Sequence, residues 1–389
     1  MANLDLTIVK IMNGDIPVFR IMQGDTKVWP SSVNFAIDGA LTNVTSSVPL
    51  PTSVEPNGSF TTTLSANTSC ILNQVSVTMG GVDITSTAYS NGVVTIAEVT
   101  DEVVITAVAI EVITFQDAAV KALCVQYWGG GVLTGEITPT EAASVHDLGK
   151  DKNGNDINEG AGPFYENTNI TSFDEFIYFS GIDTGTGLFW KQINSNVNQG
   201  VRGRFASCSN LVSIKIPRMV TTNMGGLFYG CSSLKEVDLS NVYGFTATRA
   251  AYSFYGCTSL EKVVFPDESS APTSVYSMFG TGSNGRSQVL EYIDLKTWDF
   301  SSAPTQSQTP MNWLMGCTGL KYLPSGMHNL ANTQSFANNP LTHDSAIALL
   351  NSLATVTDQT ITFAADTYNT LTAAEIAIGT SKGWTVASA

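Results

Sequence analysis

Charge is scarce in this sequence. Asp, Glu, Lys and Arg make up 13% of its 389 residues, roughly half the share of an ordinary globular chain. The basic side is the poorer: 18 Lys and Arg stand against 33 Asp and Glu, a net charge of −15. A chain so short of cations cannot neutralise a run of phosphates or seat itself on an anionic bilayer, so nucleic-acid binding and membrane-surface binding are excluded as partner classes. Histidine is scarcer still. His146, His328 and His343 occur in no HExxH pattern and in no nucleophile–His–acid pattern. The six cysteines include no CxxC pair, which removes the usual zinc spacing. The glycine clusters "GGLFYG", "WGGGVLTG" and "GTGLFW" lack the Lys-Ser/Thr that completes a phosphate loop. Paired carboxylates such as Asp174-Glu175 and Asp267-Glu268 are present, but nothing sets two of them across a cleft as glycoside hydrolysis needs. The expectation is therefore a non-enzymatic protein with no cofactor and no metal.

Long apolar runs are missing as well. The longest, Val103 to Phe115, contains Glu111 and is too short to span a bilayer. The opening "MANLDLTIVK" has neither the basic nor the apolar region of an export signal. The expectation is a protein made in a cytoplasm that does not leave by the secretory route.

What fills the chain instead is Thr, Ser, Asn and Gly around an ordinary apolar content of 43%, which favours β structure and turns. The length suggests several domains. Residues 1–30 say nearly the same thing twice, Lys10-Ile11-Met12-Asn13-Gly14-Asp15 returning as Arg20-Ile21-Met22-Gln23-Gly24-Asp25. Alternating residues broken by Gly-Asp turns read as a three-stranded meander with almost no core of its own. Its apolar set is Ile11, Met12, Val18, Phe19, Ile21, Met22, Val28 and Trp29, and these are the candidate anchoring residues. Residues 31–112 carry strand signals every 8–12 residues, with turns at Gly80-Gly81 and Asn91-Gly92, as a small β-sandwich does. Residues 113–164 read as two short helices and a polar loop. The first places Phe115, Val120, Leu123, Cys124 and Tyr127 on one face. The second starts with Thr138 as N-cap and Pro139 at its first position, and stops at Gly149.

Residues 165–340 repeat. "RFASCSNLVSIKIP" (204–217), "LFYGCSSLKEVDLS" (227–240), "SFYGCTSLEKVVFP" (253–266) and "WLMGCTGLKYLPS" (313–325) share one pattern: an apolar residue, Cys, then Leu, then two alternating apolar positions. A further unit is visible as "MFG" (278–280), an insertion, and "VLEYIDL" (289–295). Cys208 and Cys231 are 23 residues apart, and Cys231 and Cys257 are 26 apart. That period suits a leucine-rich repeat, whose units bury their apolar sides only by stacking into a parallel sheet. Leu211, Ile214 and Ile216 and their equivalents then face inward, with one cysteine per unit inside. Ser213, Glu236, Lys262, Tyr292 and Tyr322 form an outward column beside Lys215, Asp238, Val264 and Asp294. This is the candidate partner-binding face, with Trp298 and Trp313 nearby and the insertions 281–288 and 299–312 as a second candidate surface.

The unit "FYGCSSLKEVDLS" resembles the BspA-like class of leucine-rich repeats. The end, 341–389, resembles the α/β cap that closes such solenoids, with Leu349, Leu350, Leu353, Ile376, Ile378 and Trp384 sealing the last unit. The 113–150 segment resembles an EF-hand-like insert. Gly135, Ile137 and Glu141 match its turn glycine, central apolar residue and last acidic ligand, while Gly130, Val132 and Thr134 stand where side-chain oxygens should be, so a remnant without its ion is implied. The opening phrase and the Ig-like 31–112 segment are similar to those of phage and prophage virion proteins. The resemblance implies a multi-domain, mainly β component of a tailed-phage virion of fibre type. It would be anchored to capsid or tail proteins by its N-terminus, meet a host glycan or protein through the repeat, and work as a homo-oligomer such as a trimer. A capsid decoration or head-fibre protein, a bacterial surface adhesin and a polysaccharide-acting enzyme are the alternatives.

Overall fold

The structure is a computed structural model. It describes residues 34–182, 203–219, 224–243, 250, 252–267, 278–280, 289–301, 314 and 317–389, and the backbone alone of Arg202, Val220 and the strands Leu6–Asn13, Ile16–Gln23, Thr26–Trp29 and Phe189–Trp190. The fold is mainly β with few helices, in two compact units, Met1–Val112 and Ile113–Ala389.

In the first unit the three N-terminal strands form an antiparallel sheet in chain order. Ile11 pairs with Val18 and Ile21 with Trp29. The side chains of the candidate anchoring residues lie outside the described residues. Residues 34–112 form two further sheets. The five-stranded one centres on Val103–Glu111, which pairs in parallel with Phe35–Thr42 and antiparallel with Cys70–Met79. The four-stranded one pairs Phe60–Ala66 with Val93–Ile96. Inward residues alternate along both. Val103, Ile105, Ala107 and Ala109 from one sheet share a buried cluster with Phe60, Leu64, Val94 and Ile96 from the other, as period-two patterning dictates. Residues 91–92 turn with φ of 49° and 83°, the left-handed pair that a tight hairpin turn demands and that Asn-Gly accepts.

The second unit begins with the helix Ala118–Tyr127. Asp117 caps it by accepting the N–H groups of Ala119 (2.8 Å) and Val120 (3.2 Å). Val120 and Cys124 are buried, and Phe115, Leu123 and Tyr127 pack against the same core. The helix Pro139–Ala143 carries the full capping box of Thr138 and Glu141. It ends at Ala143, well before the expected stop at Gly149, because the chain bends so that Asp147 can accept the Gly149 N–H (2.7 Å) and pair with buried Arg204 (2.7 Å).

From Phe164 onward the units stack. Parallel pairing joins Ser172 to Ser213, and Glu236 through Lys262 to Tyr292, and a bridge joins Tyr292 to Tyr322. Just before each strand a second backbone ladder runs: the N–H of Glu261 donates to Lys235 (2.7 Å), Glu291 to Glu261 (2.8 Å) and Lys321 to Glu291 (3.0 Å). Inside, Phe164, Phe205, Phe228, Phe254 and Phe279 form one stacked column, with centroids 5.5, 5.9, 5.8 and 5.5 Å apart along it. The cysteines form a second column. The Sγ of Cys208 donates to Phe164 O (2.9 Å), that of Cys231 to Phe205 O (3.0 Å) and that of Cys257 to Phe228 O (3.1 Å). Cys208, Cys231, Cys257 and Cys317 are buried and unbridged. Burial pushes the Cys231 and Cys257 thiols far above their ordinary value, so they stay protonated donors.

The thiol column ends in asparagine at both ends. Asn167 and Asn339 follow Phe164 and Phe336 at the spacing by which Cys231 follows Phe228, and all three donate their backbone N–H to that aromatic's carbonyl (3.0, 3.1 and 3.1 Å). Asn339 then donates its side-chain amide to Leu314 O (3.1 Å) and Cys317 O (2.9 Å). Beyond it a parallel sheet of Gln334–Phe336, Gln359–Phe363 and Trp384–Ser388 and the helices His343–Ser352 and Ala373–Thr380 complete the unit. Leu349, Leu350, Leu353 and Trp384 are buried there, and Ile376 and Ile378 pack at the margin.

Candidate binding face

The strands of the stack are two or three residues long, so each presents only one or two outward side chains. Parallel pairing in register forces equivalent positions into columns. Glu236, Lys262, Tyr292 and Tyr322 occupy one column, and Asp238, Val264 and Asp294 the neighbouring one. Ser213 is half-buried; Lys215, Glu236, Asp238 and Lys262 are exposed. A shallow cleft of about 400 Å³ runs across this face, lined by Asp174, Ser213, Lys215, Glu236, Asp238 and Lys262 among others.

The charges on it are arranged in opposites. Lys215 Nζ lies 3.5 Å from Asp174, and Lys262 Nζ stands 5.6 Å from the centre of the Tyr292 ring. Tyr322 is 46% exposed. Burial, and then the Asp294 charge, hold the Tyr292 phenol above its ordinary value.

Two members of the expected surface are not there. Asp294 is only 9% exposed. Its carboxylate accepts the Lys296 N–H (2.9 Å) and pairs with Lys296 Nζ (2.7 Å), which turns the side chain along the strand end instead of outward. That hydrogen bond, against the opposing pull of burial, raises the Lys296 ammonium. Trp298 is fully buried; its ring packs on Phe265 at 4.7 Å and its N–H donates to Pro266 O (3.2 Å). It belongs to the core. Trp313, the insertion 281–288 and most of 299–312 lie outside the described residues.

The face also includes residues the repeat pattern does not announce. The 3-10 turn Asp174–Tyr178 brings Asp174 to its first edge and leaves Ile177 and Tyr178 exposed. They precede the first cysteine unit, so no periodic signal marks them. At the other edge the helix His343–Ser352 adds Asp344 and Asn351 beside Tyr322.

The loop that resembles an EF-hand is held by its own acidic residue. Glu141 accepts the N–H groups of Gly131 (2.9 Å), Val132 (3.1 Å) and Thr138 (2.8 Å). Burial raises this carboxyl, and those donors together with the Thr138 hydroxyl bring it below its ordinary value. Among the described residues no group of three or more His, Cys, Asp or Glu side chains is placed to hold a metal, and no helix is long and apolar enough to cross a membrane. His146 sits 2.8 Å from Gly181 O, and His343 is 3.2 Å from Glu375.

Residues 185–280 match the BspA type leucine rich repeat region (6 copies). No curated protein matches the chain. The chain therefore carries a BspA-type leucine-rich repeat region, set within the stacked units described above.

Proposed function

We propose that this chain is a non-catalytic, adhesion-type binding protein whose partner docks on the outward columns of the stacked units. The observation that carries this reading is the cleft bordered by Lys215, Glu236, Asp238 and Lys262. It is a rigid, in-register surface of opposite charges, as repeat proteins use for recognition. A BspA-type repeat region points to a surface or adhesion role in the same direction. In the finer reading the stacked units form a leucine-rich solenoid and residues 34–112 an Ig-like sandwich. The whole is then a fibre-type component of a tailed-phage virion, anchored through residues 1–30 and oligomeric, so that weak contacts add by avidity. The likeness of the N-terminal phrase to virion proteins supports it.

The test is binding of the labelled full chain to a panel of bacterial cells. Binding that falls at least about tenfold in the double variant Lys215→Glu, Glu236→Lys supports the docking face. Binding unchanged by that charge reversal removes it. Proteomics of particles separated into heads and tails tests the virion reading, and absence from both would end it.

A further inference from the structure

A second cleft, of about 580 Å³, lies between the last outward tyrosines and the helix His343–Ser352. Its volume falls within the roughly 300–1,000 Å³ of small-molecule sites, and it is open on one side. Leu323 and Ala348 are buried at its base, and Pro324 and Ile347 are half-buried beside them. Tyr292 and Tyr322 form one wall, joined backbone to backbone by a parallel bridge, which sets the two rings on adjacent units of the same face. Tyr292 already interacts with Lys262, so Tyr322 is the open platform. Asp344, Asn351 and Ser325 stand exposed at the rim. The Ser345 hydroxyl, by contrast, is engaged inside the fold, accepting from Leu323 N (2.9 Å) and donating to Lys321 O (3.0 Å).

We infer that this cleft is a binding site for a short, neutral oligosaccharide. A pyranose has an apolar C–H face and an edge of hydroxyls. The exposed tyrosine offers a flat apolar surface with a polar tip for the first. The carboxylate of Asp344 and the amide of Asn351 supply acceptor and donor for the second. The sign of the charge selects among sugars: Asp344 on the rim and a net charge of −15 oppose an acidic glycan. The inference rests on the adhesion reading and names the ligand class, but it places that ligand at the cap end and not in the Lys215–Glu236 cleft.

Saturation-transfer NMR on the full chain tests it, with maltotriose, cellotriose and N,N′,N″-triacetylchitotriose as neutral probes and 3′-sialyllactose as the acidic one. At least one neutral trisaccharide is expected to bind. Tyr322→Ala should weaken it about tenfold or more, near the scale of one lost aromatic contact. Asn351→Ala should weaken it by a smaller factor, and 3′-sialyllactose should bind less well than the best neutral probe. Both positions are exposed, and circular dichroism melting of each variant confirms that the fold is kept. Failure of all three neutral trisaccharides, retention of affinity in Tyr322→Ala, or preference for the sialylated probe overturns the inference. Cell binding that is lost on charge reversal of Lys215 and Glu236 but kept in Tyr322→Ala leaves the adhesion reading standing and removes this site.

Discussion

Residues 34–112 and the stacked units from Phe164 to Asn339 bury apolar side chains by different logics. In the two-sheet region each core residue meets unlike partners from distant strands: Val103 pairs with Ile37 on one side and Met79 on the other. In the stack each core residue meets its own equivalent one unit away, Phe on Phe and thiol on the preceding unit's carbonyl. The first arrangement closes only when all strands are present. The second is a chain of similar nearest-neighbour interfaces, so damage at one unit breaks direct contacts with only the two units beside it.

The sharpest way to break this contrast is to remove a ring from the middle of the column. Phe228 is fully buried between Phe205 and Phe254. Phe228→Ala should cost about 3–5 kcal/mol. Trp128, Trp298 and Trp384 are buried in the second unit, so their fluorescence in a urea titration follows it. That transition should move to lower denaturant, while amide hydrogen-exchange protection of Val103–Glu111 should be lost at an unchanged denaturant concentration. A common shift of both would mean that the two regions do not unfold independently.

Next in size is the tie between the first helix and the first stacked unit. One Asp117 oxygen caps the helix, and the other accepts the Thr171 N–H (2.6 Å) and hydroxyl (2.8 Å). Asp117→Ala should cost about 2–3 kcal/mol, adding a lost cap to lost charge-assisted bonds. The pH dependence has a definite sign. Burial raises the Asp117 carboxyl, and its donors outweigh that and leave it below its ordinary value of 3.8. A depressed carboxyl contributes stability that is fully present above 3.8 and is lost as pH falls through the lower folded value. The gap in urea midpoint between wild type and Asp117→Ala should therefore be widest near neutrality and shrink in strongly acidic buffer. A gap that widens in acid contradicts this role.

These two residues differ in how far the sequence discloses them. Phe228 belongs to the spacing that repeats in "FYGCSSL" and "FYGCTSL", so its inward position follows from periodicity. Asp117 precedes a readable helix, but its partner Thr171 lies far along the chain, and no local pattern reports that contact. The ends of the thiol column are hidden for a similar reason. Asn167 and Asn339 lie inside the 165–340 span of the repeat, but they differ in type from the cysteines they replace, so the cysteine spacing does not report them as members of the column. At the candidate face, register made Glu236, Lys262, Tyr292 and Tyr322 legible as a column. Asp294 matched that pattern yet turned along the strand end, because Lys296 follows it closely enough to capture the carboxylate. The cap-end cleft was illegible, since it needs a helix from beyond the repeat.

The asparagine end allows a finer comparison. Asn339→Ala removes buried donors to Leu314 O and Cys317 O and should cost about 1–3 kcal/mol. Asn339→Cys should recover part of that loss by extending the thiol column one unit, leaving the urea midpoint between the alanine variant and wild type. A cysteine variant no better than alanine would show that the column has no meaning at this end.

The smallest effect is expected on the outside. Lys321 and Glu291 face each other at 2.7 Å on adjacent units, and both side chains are well exposed. The hydrogen bond from Lys321 to Glu291, with their mutual attraction, raises the ammonium above its ordinary value. Water and salt screen such a pair, and ordering two long side chains offsets most of the attraction. Lys321→Ala should leave the urea midpoint within the error of the titration, with any difference fading further in high salt. The same stack that loses several kilocalories when one inner ring is removed should hardly register a change on its outer columns. That insulation is what lets the outer columns vary for a partner while the inner columns stay fixed by packing. A large loss in Lys321→Ala would mean that the outer charges help hold the units together, and the face could not then be tuned for binding without unfolding what carries it.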